Sequence, residues 1–105
     1  MFDELAEQLH VIAKDKGFWD QDVDDIFVAK QLMMITSEVV EVLEAVRKDK
    51  GEDEIAKEFA DIIIRTLDLY AGMVDAGYTK VSLDYAIADK IKINLDRPQK
   101  HGVRF

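Results

Sequence analysis

Cysteine is absent from this 105-residue chain, which excludes a disulfide framework and any thiolate metal site. That fits a reducing, cytoplasmic setting. Proline occurs once and glycine five times, too few to punctuate a strand-and-turn fold, so long uninterrupted helices are expected. No apolar run exceeds four residues, which leaves no segment approaching the roughly 20 needed to span a bilayer. The first sixteen residues carry acids throughout and do not read as a secretory signal. Only two histidines are present, His10 and His101, and neither has a metal-ligand partner one helical turn away. His10 reads as a helix-surface residue. No glycine-rich phosphate loop is found, and Ser37 has no histidine near it for a serine triad.

Acid is what the chain has in abundance. Residues 1–89 hold 21 acidic and 9 basic side chains, a balance of −12, while residues 90–105 hold 1 and 5, a balance of +4. A body this acidic is a poor partner for nucleic acid. A short basic end beside acids suits a small phosphorylated ligand, although charged ends are also common simply because they are solvated.

The length suffices for one domain with one modest core, spanning 1–105. Phe2, Leu5, Leu9 and Ile12 recur at helical spacing, and Gly17 suits the stop of this first helix. Phe18 and Trp19 follow where a loop is expected; they read either as a cap on the core or as a stacking surface for a nucleobase. Asp24 or Asp25 is a fitting N-cap for a second helix. Its apolar stripe runs Val28, Leu32, Ile35, Val39, Val42 and Val46 to Arg47, with Glu38 and Glu41 on the flank and Glu44 turned to solvent. Lys48 to Gly51 forms the turn, with Gly51 as the helix stop. The third helix is apolar on more than one face, including Phe59, Ile62, Ile63, Ile64, Leu67 and Leu69. Such a helix is buried on both sides, which predicts packing against a second subunit. Gly72 sits within it at some cost, and Gly77 closes it. Ser82 caps a fourth helix that carries Lys90, Asn94 and Arg97 and ends at Pro98, and Gln99 to Phe105 is expected to be extended. The fold class is therefore all-α: a four-helix bundle with antiparallel central helices.

Chemistry concentrates on those central helices. Glu38 and Glu41 form one i, i+3 acid pair, and Glu58 and Asp61 form another. Two short-linked antiparallel helices can bring all four carboxylates together. Such a cluster is destabilised by its own repulsion unless cations sit within it, and Mg²⁺ or Mn²⁺ matches an all-oxygen donor set. The competing reading is a solvated acidic groove, partly neutralised by Lys57 and Arg65.

The runs SEVVEVLEAVRKDKG, KEFADIIIRTLDL and KIKINLDRPQKHGVRF, with KGFWD before the second helix, resemble the MazG-like nucleoside triphosphate pyrophosphohydrolases of the all-α NTP pyrophosphatase superfamily. The resemblance covers nearly the whole chain. It implies a helical bundle assembled as a homodimer or a dimer of dimers, and Mg²⁺-dependent hydrolysis of an NTP or dNTP to the monophosphate and pyrophosphate, in nucleotide-pool cleansing. It implies Glu38, Glu41, Glu58 and Asp61 as metal ligands, and Lys90, Asn94 and Arg97 as contacts to phosphate or sugar. Trp19, with Phe18, would lie near the base. Many relatives begin the first motif with two adjacent acids, and this chain has Ser37 at the first of these positions. The general base is then Glu38 or Glu41, or the metal acidifies the attacking water without one. Two further readings stay open: a non-catalytic acidic interaction module, and a hydrolase of the same metal chemistry acting on another phosphorylated substrate.

Overall fold

A computed structural model describes residues 1–98; the expected extended segment 99–105 lies outside them. Four helices and no strands are found among the described residues: α1 Phe2–Asp15, α2 Asp25–Arg47, α3 Glu52–Asp75 and α4 Leu83–Leu95. The bounds follow local chemistry. Asp24 is the N-cap of α2 and its carboxylate accepts from the Phe27 N–H at 2.8 Å. The Ser82 hydroxyl does the same for α4, accepting from the Tyr85 N–H at 3.2 Å.

After α1, Gly17 adopts φ 85° while the Gly17 and Phe18 N–H groups bond the Lys14 and Ala13 carbonyls, a Schellman closure. The α2–α3 turn departs from expectation. Asp49, at φ 50°, holds the left-handed position, with its own N–H on Val46 and that of Lys50 on Ala45. Gly51 instead precedes α3 as its N-cap. Aspartate is one of the few side-chain-bearing residues that tolerates this conformation, so the stop did not need glycine.

The four-residue turn makes α2 and α3 antiparallel neighbours. α3 packs along α2 on one side and along α1 on the other. The buried set is small: Ala6, Phe27, Val28, Ala45, Leu67, Leu69, Gly72 and the polar His10. Two sides of α3 thus find partners within one chain. Much apolar surface nevertheless stays exposed, including Leu32, Val39, Val40, Leu43 and Val46 on α2 and Phe59, Ile63 and Ile64 on α3. The expected α2 stripe is split: Val28 is buried, Ile35 and Val42 are half-buried, and Leu32, Val39 and Val46 face outward.

α4 is attached by its first turn. The Asp84 carboxylate accepts from the Met1 ammonium at 2.9 Å and from the Phe2 and Asp3 N–H groups at 2.7 and 3.2 Å. In return Asp3 accepts from the Leu83 N–H at 2.8 Å and from the Ser82 hydroxyl. Two helix N-termini are each capped by the other's acid, which places negative charge where both dipoles favour it. Asp84 is held down to about 2 by the ammonium first and then by the backbone donors. Beyond Ala88, every described residue of α4 and its sequel is exposed.

Candidate metal centre and adjoining cavity

Glu38 projects from the middle of α2 toward α3, and Glu58 and Asp61 project from the first half of α3. One carboxylate oxygen from each lies within 4.8 Å of the other two. Glu38 and Glu58 are half-buried and Asp61 is exposed. Two ligands on one Mg²⁺ at about 2.1 Å each can be at most about 4.2 Å apart, so the three oxygens would draw closer together on holding an ion. The donors are all hard oxygens, with no nitrogen or sulfur ligand among them, which fits Mg²⁺ or Mn²⁺.

Glu41 is not one of the three converging groups. It sits one turn on from Glu38, on a more exposed part of α2, yet its charge is felt at the cluster. Glu58 is raised from its ordinary value, first by its loss of hydration and then by Asp61, Glu41, Glu38 and Glu54. A cation would relieve that repulsion. Part of the relief is already supplied by Arg65, whose Nε–H donates to Glu38 at 3.0 Å. Glu44, expected to face solvent freely, is half-buried and bonds Arg47 at 2.8 Å and Lys48 at 3.3 Å.

A cavity of about 600 Å³ opens beside the acids, between α1, the loop after it, α2 and α3. Asp61 and Arg65 line its end toward the cluster. Phe18, Trp19, Met34 and Ile64 supply apolar wall, and Lys16, Lys30, Gln31 and Asp68 supply polar groups. Sequence reading did not single out Lys30, Gln31 or Asp68. The available signal was helical register: Gln31 and Met34 precede Glu38 by seven and four residues on α2, and Asp68 follows Asp61 by seven on α3.

Trp19 packs into the core and also faces the cavity. Its ring packs 5.2 Å from that of Phe27 and edge-on to His10 at 4.5 Å, and its indole N–H donates to Asp68 at 3.0 Å. It also lines the cavity. Gly72 is where it is because of this ring: a Cβ there would lie 2.0 Å from the indole Cη2. His10 is buried rather than on the helix surface, with both ring nitrogens facing carboxylates of α3. Lys90, Asn94 and Arg97 are exposed, and none lines the cavity. Arg97 lies past the end of α4, whose C-cap is Asp96, rather than within it. A single chain therefore brings together Glu38, Glu58, Asp61 and the Trp19 wall, but does not add the α4 residues to the cavity lining.

No helix among the described residues is long and apolar enough to cross a membrane. Comparison with protein-family models, with curated proteins and with solved structures finds no match, so the reading of this site rests on its residues and their geometry.

Proposed function

We propose that this chain is a divalent-metal-dependent hydrolase that cleaves nucleoside triphosphates between the α- and β-phosphates. The observation that carries the reading is the convergence of Glu38, Glu58 and Asp61, the last of which also lines a cavity with an aromatic wall. Under this reading those three acids hold Mg²⁺, which supplies charge neutralisation of the phosphates and acidifies the attacking water. Arg65, at the same end of the cavity, adds positive charge against the phosphate oxygens. Phe18 and Trp19 take the base by stacking. Glu41 accepts the proton of the attacking water, because Glu38 is engaged by Arg65. Water adds to the α-phosphorus, the bond to the bridging oxygen breaks, and pyrophosphate leaves with the electron pair.

Under this reading Lys90, Asn94 and Arg97 join the site from a neighbouring copy. A homo-oligomer agrees with the amount of uncovered surface. The accessible area is 8113 Å², against about 6000 Å² expected of a compact chain of this mass. The same apolar surface favours the second reading, an acidic interaction module without catalysis. Saturable Mg²⁺ binding separates the two, since a solvated groove would respond weakly and lose its response in salt.

The test is incubation of the pure protein and Mg²⁺ with each canonical and several damaged NTPs and dNTPs, detecting pyrophosphate and orthophosphate separately. Pyrophosphate from a subset of nucleotides is expected, with loss of turnover by at least about 100-fold in Asp61→Asn while helicity is kept. Orthophosphate alone would move the cleavage site. No release despite bound metal would point to a different phosphorylated substrate, and no release without metal binding would leave the interaction module.

A further inference from the structure

The polar network between α1 and α3 lies outside the acid cluster and has no part in the chemistry proposed for it. His10 is the buried polar residue of the described core, at 5% exposure. Its Nδ1 lies 2.8 Å from Asp68 Oδ1, and its Nε2 lies 3.3 Å from Asp75 Oδ2. Asp68 is shared: its Oδ1 also accepts from the Trp19 indole N–H at 3.0 Å, and its Oδ2 from the same N–H at 3.3 Å.

Hydrogen-bond inventory constrains this arrangement. A neutral imidazole has one N–H and one lone pair, whereas ionised carboxylates only accept. The neutral ring can satisfy Asp68 or Asp75, and must turn its lone pair toward the other. The imidazolium donates to both, and its bond to Asp68 is then between two charged groups and stronger. The remaining charged and titratable groups around the ring are Asp3, Glu7, Lys14, Tyr70 and Lys80, which line the adjoining recess with it and with Asp75. Asp68 and Asp75 alone of these are in ion-pair contact with the ring among the described residues.

We propose that His10, acting through Asp68, is a positioning residue for Trp19, and that its protonation sets how firmly the indole is held as the wall of the cavity. The ring is backed by α3 at Gly72, where there is no room even for a Cβ. Loosening the Asp68 anchor therefore frees the indole toward the cavity. The effect does not depend on what the cavity binds. Asp75 is 64% exposed, so its pull on His10 is screened and is the weaker of the two.

Trp19 is the one tryptophan of the chain, so its fluorescence reports on this position alone. The experiment is a titration of emission maximum and acrylamide quenching from about pH 5 to about pH 8, the range in which histidine charge changes. The wild-type protein should show a single-proton step, with redder emission and easier quenching on the alkaline side. His10→Gln should abolish the step. Asp75→Asn, an exposed change that leaves the core intact, should keep the step and move it to lower pH, because the charged ring loses one neighbouring negative charge. A wild-type emission without a step overturns the proposal. So does a step that survives in His10→Gln, or one that does not move in Asp75→Asn. If His10→Gln fails to fold, the Asp75→Asn titration decides.

Discussion

At the residue scale, Glu58 carries the clearest energetic consequence. Its carboxyl is raised by burial and by neighbouring acids, so the folded chain holds that proton more tightly than the unfolded chain. The sign follows: the group favours the folded state below its raised value and opposes it once pH climbs above. Without divalent metal, the melting temperature should fall as pH rises through and just above the carboxylate range. Glu58→Gln should remove that part of the fall and melt higher than wild type at neutral pH. Mg²⁺ should stabilise wild type and leave Glu58→Gln nearly unmoved. Thermal melts at several pH values, with and without Mg²⁺, check all three. A Glu58→Gln protein that melts lower than wild type throughout would give this carboxylate a structural role instead.

At the element scale, two junctions position the site. The first is Trp19 against Gly72. Alanine in place of glycine within a helix is ordinarily worth about 1 kcal/mol, yet here the new methyl meets the indole, and overpacking costs about 1–3 kcal/mol. Gly72→Ala should therefore destabilise by about 0.5–2 kcal/mol and shift the tryptophan emission; a gain in stability would mean that the ring is not seated there. The second junction is the mutual capping of α1 and α4. Asp84 is ionised down to about 2, and its bonds contribute stability that is present above the ordinary value of 3.8 and lost as pH falls toward about 2. Asp84→Asn should lower the melting temperature at neutral pH, and the difference from wild type should shrink in acid. Equal melting at neutral pH would show that α4 docks by other means.

At the scale of the whole molecule, the uncovered apolar surface decides behaviour. Val39, Val40, Leu43 and Val46 share the outer side of α2, each about half exposed. Patches of this kind mark interfaces in soluble chains. Leu43→Lys places a charge at the centre of that side. Sedimentation should show wild type as a dimer or larger at tens of micromolar, and Leu43→Lys closer to the 12.0 kDa of one chain, with helicity unchanged. A wild type that sediments as a monomer would remove the subunit partner from the proposed site, and with it any part for Lys90, Asn94 and Arg97.

Helix number and order, and most helix ends though not the stop expected at Gly51, were legible from local chemistry, because caps, turn residues and apolar spacing act within a few residues of one another. Asp24, Gly17, Ser82 and Gly77 all stand where the chain needs them. The acid pairs were legible for the same reason: i, i+3 spacing places Glu58 beside Asp61 whatever surrounds them. What the sequence could not settle was anything that depends on how far a helix is rotated about its axis. Rotation of α2 took Glu38 into the cluster and left Glu41 at its edge, and it split one apolar stripe between core and surface. His10 illustrates the same limit. Nothing local marks it as buried, because its two partners lie 58 and 65 residues away on α3 and meet it only once the helices have packed.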